Sequence, residues 1–171
     1  MAASSISYSD PASVVPVGMF LSNNNLTYRN TFYWNKRAMS QDPNHAIPNA
    51  HLYHWLHSAD LNTEMGVLES EKAPLENRIW YDYPNQMANP YGAITLGQTD
   101  EPLFVGRVLD DGTSQLWQYQ YNSLGKVTKI TEPGTGRMTV IHYDTNGFDL
   151  WQSIGRTLLG PPRTILVRRP I

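Results

Sequence analysis

The stretch between Val105 and Gly147 contains the same pattern twice. A shift of 22 residues aligns five identical pairs without a gap: Val105 with Val127, Gly112 with Gly134, Thr113 with Thr135, Tyr121 with Tyr143, and Gly125 with Gly147. A fixed period of this size is typical of repeat proteins, in which each unit stacks on its neighbours and cannot bury a face alone. These clean repeats, residues 105–147, constrain the fold more than the activity.

Each copy predicts two strands and two turns. In the first copy, Leu103–Leu109 is rich in β-favouring residues and is broken by Asp110-Asp111-Gly112. The Asp-Gly pair indicates a hairpin, because glycine accepts the positive φ that such turns require. A second strand is predicted at Gln115–Tyr121, where aromatic residues recur at every second position and share one face. These residues are Trp117, Tyr119 and Tyr121.

The rest of the chain also favours strands over helices. The second copy predicts strands at Lys126–Thr131 and Arg137–Tyr143. Upstream, the strand candidates are Leu26–Trp34, His51–His57, Val67-Leu68 and Arg78–Tyr83. Between them we expect a turn at Asn62–Gly66, a polar link at Glu69–Asn77 and a Pro/Gly/Asn-rich insertion at Pro84–Pro102. The predicted fold is all-β and consists of tandem antiparallel β-hairpins.

Two short runs carry a family signature. Tyr121 and Asn122 are followed by Gly125, and Tyr143 and Asp144 are followed by Gly147. Between the two runs lie a short strand, Pro133-Gly134, and Arg137 before the next tyrosine. This pattern resembles the YD repeat of the RHS and teneurin family, and segments at 28–34 and 75–84 resemble parts of long bacterial RHS-repeat proteins. The resemblance covers roughly residues 28–150.

The resemblance implies a structural role. In that family, such repeats spiral into a hollow shell that encloses a C-terminal toxin or effector domain of an exported protein. This chain would be a section of that shell, secreted or at the cell surface, with neighbouring repeats of a longer parent chain and the enclosed domain as partners. The Asp-Pro-x-Gly-Leu type segment of family self-cleavage is absent, so no proteolytic role carries over.

Composition divides the chain into three parts. Residues 1–25 are a Ser-, Pro- and Asn-rich irregular lead-in, residues 26–150 form the YD/RHS-repeat β region, and residues 151–171 are a divergent, basic, Pro-rich tail. Two interpretations of the tail stay open. Either the chain is truncated or non-native after about Gln152, or the tail is a flexible basic end.

Charge and cysteine content exclude several classes of protein. The net charge of −2 favours no nucleic-acid partner, and the absence of cysteine excludes disulfides and thiolate chemistry. The sequence has no run of about 18 apolar residues, so no membrane span is predicted. Residues 1–10 lack the basic and apolar regions of a signal peptide.

The reactive candidates are weak. His51, His54 and His57 have a spacing that could bind a metal on a helix, but in a strand His54 points away from the other two. Asp110-Asp111 precedes a glycine and fits a turn better than an acid–base pair. The run at 133–136 has two glycines but neither a Lys nor a following helix, so no phosphate site is expected. We therefore predict no catalytic residue, no metal site and no cofactor.

Aromatic side chains suggest an alternative function. Sugar rings stack on exposed Trp and Tyr, so the chain could be a carbohydrate-binding cell-surface module. The candidates are Trp55, Trp80, Tyr81, Tyr83, Trp117 and Tyr119. Exposure of these rings decides between glycan binding and packing within the sheet.

Overall fold

The computed structural model describes residues 13–23, 26–57, 63–88, 94–95, 99–156 and 163–165. Twelve strands form one sheet. They are β1 Asn30–Tyr33, β2 His51–His57, β3 Glu64–Lys72, β4 Ile79–Asp82, β5 Met87–Ala88, β6 Ile94–Thr95, β7 Phe104–Val108, β8 Ser114–Tyr121, β9 Val127–Thr131, β10 Met138–Tyr143, β11 Leu150–Arg156 and β12 Arg163–Ile165. The helical elements of the described residues are α1, Lys36–Gln41, and a 3-10 helix at Ile47–Asn49. The all-β prediction is confirmed.

Most of the sheet is an antiparallel meander. Strands β2, β3, β4, β7, β8, β9, β10 and β11 lie side by side in chain order, each antiparallel to the next. β12 continues the sheet beyond β11, and β1 pairs with β2. The short strands β5 and β6 belong to the predicted insertion between β4 and β7, and β6 meets β2 in parallel.

The strand predictions were wrong around β3. The turn expected at Asn62–Gly66 is strand from Glu64 onward, and the polar link expected at Glu69–Asn77 is strand as far as Lys72. The sequence pattern missed this strand because it is rich in polar residues, and those side chains find their partners elsewhere in the fold. Ser70, for example, accepts a hydrogen bond of 3.0 Å from Arg78 Nη1.

The predicted first strand was too long, and it is followed by a helix that the sequence pattern did not predict. Only 30–33 of the expected Leu26–Trp34 forms β1. Asn35 caps the next six residues as α1, its Oδ1 accepting a hydrogen bond of 2.9 Å from the Ala38 amide. Six residues are too few to show a helical period, which explains why the pattern missed them.

The two copies of the sequence pattern have matching strands and turns. A shift of 22 residues carries β7 onto β9 and β8 onto β10. Gly125 and Gly147 both have φ of 72°, and each closes its turn by donating its amide to the residue three positions before it. Gly112 and Gly134 also have positive φ. The glycines therefore stand where residues with a Cβ would be strained.

The hydrophobic core lies under the lead-in segment. Residues 13–23 cross one face of the sheet, where Met19 and Leu26 form a buried cluster with Trp80 of β4. The Trp80 indole is fully buried, and its Nε1 donates a hydrogen bond of 3.0 Å to the Val14 carbonyl. A second cluster joins Leu56 and Tyr83. Because the sheet is a single layer, this irregular segment supplies part of its second layer.

The sheet is thin beyond this cover. Every residue from 107 to 150 keeps partial or full exposure, so β8, β9 and β10 contain no buried side chain. Of the tail, residues 151–156 belong to β11 and 163–165 to β12. The remaining tail residues, together with residues 1–12 and 24–25 of the lead-in, lie outside the described residues.

The fit of the cover can be tested at a strand glycine. A methyl group at Gly106 of β7 would lie 2.7 Å from Leu116 Cδ1 and 3.0 Å from both Met19 Sδ and the Gln115 carbonyl oxygen. We expect Gly106→Ala to lower the free energy of unfolding by about 1–3 kcal/mol through overpacking. Gly66→Ala in β3 is the matched control, because a methyl group there meets no atom within 4 Å. Equal losses of unfolding free energy in the two variants, measured by urea unfolding, would contradict this account.

Candidate functional site

Two of the six candidate aromatic residues are buried. Trp80 is 0% and Tyr83 5% exposed, and the Tyr83 hydroxyl donates a hydrogen bond of 2.7 Å to the Leu68 carbonyl. Both rings belong to the core clusters. Trp80 and Tyr83 therefore cannot stack on a sugar, and their inclusion among the glycan candidates is corrected.

Three other candidates are half-buried in the sheet. The Tyr81 hydroxyl donates a hydrogen bond of 2.7 Å to Glu71 Oε1, and burial with this carboxylate raises the pKa of Tyr81. Trp117 and Tyr119 lie on β8, where the Tyr119 ring stacks with that of Tyr121 at 6.5 Å between centroids. These rings contact protein groups along the sheet.

Trp55 occupies a different setting at the end of a row of rings on β2. His51 and Tyr53 stack with centroids 4.5 Å apart, and Tyr53 lies 6.4 Å from Trp55. Trp55 Nε1 donates a hydrogen bond of 2.9 Å to Thr31 Oγ1 of β1. Its ring lines an open cavity of about 470 Å³, which we call the Trp55 cavity.

The Trp55 cavity brings together residues that are distant in sequence. Besides Trp55, its lining includes Arg29, Thr31, Glu64, Met65 and Gly66. Sequence reasoning singled out Trp55 but missed the others. No local pattern marks them, because they meet only through the pairing of β1, β2 and β3.

A buried polar cluster lies behind this cavity. We define it as Arg29, Asn30, His54 and Glu69. His54 and Glu69 are each 1% exposed, and His54 Nε2 lies 3.1 Å from Glu69 Oε2. Arg29 Nη2 lies 3.5 Å from the same carboxylate oxygen and 3.4 Å from His54 Nε2. A buried carboxylate thus lies against a guanidinium and an imidazole.

The hydrogen bonds of Asn30 determine the orientation of the His54 ring. Asn30 Nδ2 donates a bond of 2.7 Å to the Leu26 carbonyl, so its Oδ1 faces His54 Nδ1 at 3.0 Å. Because that oxygen can only accept, His54 Nδ1 carries a proton. Burial lowers the pKa of His54, against the opposing effect of Glu69.

His51 and His54 of the predicted triplet have different partners. The strand prediction for His51–His57 is confirmed as β2. His51 is half-buried and pairs with Glu71 at 3.1 Å, whereas His54 is buried with Glu69. Within the described ranges, no group of three or more His, Cys, Asp or Glu side chains is close enough to hold a metal ion.

The aspartates before Gly112 hold a turn. Asp111 Oδ1 accepts hydrogen bonds from the Thr113 amide at 2.9 Å and hydroxyl at 2.6 Å, and these bonds lower the pKa of Asp111. Asp110 Oδ1 accepts from Asn77 Nδ2 at 2.9 Å. A second open cavity, of about 570 Å³, lies beside this turn. Nothing about the pair resembles a matched acid and base.

The signature residues of the repeats also contact backbone groups. The hydroxyls of Tyr121 and Tyr143 donate to the carbonyls of Pro102 and Val127, at 2.8 Å and 3.0 Å. Asn122 Oδ1 accepts from the amides of Leu124 and Lys126, both at 3.0 Å. These side chains maintain the shape of strands and turns.

Comparison with known proteins gives no match. No family model, no curated protein and no solved structure matches the chain. None of the described helices is long and apolar enough to cross a membrane.

The lowered pKa of His54 predicts loss of stability in acid. An unfolded histidine titrates near pH 6.5, so below that pH the unfolded chain binds a proton more readily than the folded protein does. Stability is therefore complete above pH 6.5 and falls as the pH falls. From pH 7.5 to 5.5, we expect wild type to lose about 1 kcal/mol more unfolding free energy than His54→Gln. Equal slopes in the two proteins would refute the prediction.

Removing the buried carboxylate should be far more costly than removing its neighbour. Glu69→Ala leaves Arg29, whose side chain is only 12% exposed, without the Glu69 carboxylate and should cost about 3 kcal/mol of unfolding free energy. Glu71→Ala, two positions along the same strand, removes a half-buried carboxylate that pairs with His51 and Tyr81, and should cost about 1 kcal/mol or less. Chemical denaturation of the two variants at pH 7.5 provides the comparison. A Glu71→Ala loss as large as that of Glu69→Ala would contradict it.

Proposed function

We propose that this chain is a non-catalytic structural segment of an RHS/YD-repeat shell, of the kind that encloses a C-terminal toxin or effector domain in an exported protein. The observation that carries the proposal is that the sheet of the clean repeats is only one layer thick. Between residues 107 and 150, strands β8–β10 form a single layer without one buried side chain.

A single layer of this kind needs further contacts. A sheet reaches independent stability when one face is buried against another element. The cover supplied by residues 13–23 reaches Leu116 at the start of β8, and the later strands extend past it. A wall of a larger hollow assembly, continued by neighbouring repeats, accounts for a sheet that is well paired edge to edge but has no core of its own.

The turns on one side of the sheet support continuation by repeats. The Glu101 side chain lies where a Cβ at Gly125 would be, and Leu124 Cδ1 would lie 2.7 Å from a Cβ at Gly147. Asn122 Nδ2 also donates a hydrogen bond of 3.0 Å to the Gly147 carbonyl. In both cases a side chain from the preceding connection packs against the glycine of the following turn. We call this arrangement the turn ladder.

In such a shell segment, the repeated side chains of the chain maintain its shape. The tyrosine hydroxyls, turn aspartates and glycines act on the backbone, and no catalytic residue or cofactor is assigned. The partners are neighbouring repeats of the parent chain and the enclosed domain, and the location is outside the producing cell.

One observation favours a second function. Trp55 lies beside an open cavity together with the exposed carboxylate of Glu64. An aromatic ring next to a hydrogen-bonding carboxylate is a usual basis for sugar binding. A carbohydrate-binding module at a cell surface is therefore the alternative function.

Protease protection tests the shell. The protein to use is the product of the whole parent reading frame, with a tag on its final domain. We expect that domain to resist limited proteolysis in wild type and to be cleaved about tenfold faster in Gly147→Val, because valine there is strained and displaces Leu124 from the turn ladder.

The control for that experiment is Gly134→Val. Gly134 has the same φ of 72°, but a Cβ there meets no atom within 4 Å. This variant should keep the final domain protected. A reading frame without further repeats, or a final domain cleaved equally fast with and without the repeat region, would refute the shell.

A further inference from the structure

Arg29 is held in a backbone conformation that few residues with a side chain adopt. Its φ is 57°, in the left-handed region. Both ends of the residue are tied to Trp55: the Arg29 carbonyl accepts from the Trp55 amide at 3.1 Å, and Arg29 Nη1 donates to the Trp55 carbonyl at 2.7 Å. Strain of this kind persists only where surrounding contacts enforce it, and it concentrates at functional sites. Arg29 in this conformation is one of the residues that line the Trp55 cavity.

The Trp55 ring is oriented before any ligand arrives. Tyr53 lies on one side of it, and the bond from Nε1 to Thr31 Oγ1 restrains its rotation. In the row of three rings, His51 and Tyr53 cover each other at 4.5 Å, so their facing surfaces are closed to a ligand. Trp55 ends the row and lines the cavity. A ring fixed in this way binds a flat apolar surface with little loss of side-chain freedom.

The charges around the cavity select the class of ligand. The Arg29 guanidinium is already compensated by Glu69 at 3.5 Å, so the exposed Glu64 carboxylate adds negative charge and disfavours an anion. An uncharged ligand rich in hydroxyl groups meets no such repulsion. A carboxylate accepts several hydroxyl hydrogen bonds, and a guanidinium donates several.

We propose that the Trp55 cavity binds a neutral pyranose ring, with its C–H face on Trp55 and its hydroxyls on Glu64 and Arg29. A volume of about 470 Å³ lies within the range of small-ligand pockets, about 300–1,000 Å³. This inference rests on the carbohydrate-binding alternative and not on the shell. Protease protection and sugar binding are separate measurements, so one proposal can fail without the other.

Saturation-transfer NMR and titration calorimetry on the full chain test the site. The probes are the methyl glycosides of glucose, galactose, mannose and N-acetylglucosamine, with glucuronic acid as the charged comparison. We expect millimolar binding of at least one neutral glycoside and weaker binding of the uronic acid. Trp55→Ala and Glu64→Ala should each weaken binding by about tenfold.

Tyr33→Ala is the matched control, because Tyr33 is an exposed aromatic residue on β1 whose strand partner is His51 and which does not line the cavity. Its affinity should equal that of wild type. Glu64 is exposed, so Glu64→Ala tests the site even if Trp55→Ala does not fold. Two results would overturn the proposal. The first is that no neutral glycoside binds at a concentration about 50-fold above the expected millimolar dissociation constant. The second is binding that Glu64→Ala leaves unchanged.

Discussion

The burial of Trp80 beneath an irregular segment is the contact on which the rest of the described structure depends. The segment at 13–23 has no strand of its own, yet it is joined to the sheet by the Val14 carbonyl, by the Val17 amide on Ser114 Oγ at 2.9 Å, and by the Phe20 amide on Asp82 Oδ2 at 3.3 Å. These bonds give backbone groups of the irregular segment partners on the sheet. A single-layer sheet thereby gains part of a second layer, which extends from Leu21 on the Leu56–Tyr83 cluster to the residues packed beside Leu116 of β8.

Two regimes of stability follow from this arrangement. At the covered end, apolar burial and the buried polar cluster act on the same strands. A buried ion pair adds little net stability, but it strongly disfavours any pairing that would leave one charge alone. Arg29, His54 and Glu69 come from three different segments, so the cluster specifies how those segments align. At the other end, β9 and β10 depend on strand pairing and on the turn ladder.

The local features of the fold could be predicted from the sequence, and the long-range ones could not. Strands β2, β4 and β7–β10 were predictable because β-favouring residues are frequent in them and turn residues mark their ends. β3 was predicted only at Val67-Leu68, since Glu69, Ser70 and Glu71 look like a loop until their partners on other strands are known. The role of the lead-in was hidden for the same reason, because an irregular segment has no period to read. At the Trp55 cavity the aromatic residue was predictable. Arg29 and Glu64 were not, because their positions depend on the left-handed backbone of Arg29 and on the register shift beside Trp55.

The turn ladder has a consequence for how such a gene can change length. Glu101 precedes β7 just as Leu124 precedes β9, and Val105 of the first unit corresponds to Val127 of the second. An in-frame recombination that removed residues 105–126 would place β9 beside β4, valine for valine, and would seat Glu101 on Gly147 where Leu124 had been. Whole units can thus be lost or duplicated without a broken hydrogen-bond ladder, whereas an event out of step with the period would reverse the faces of every later strand.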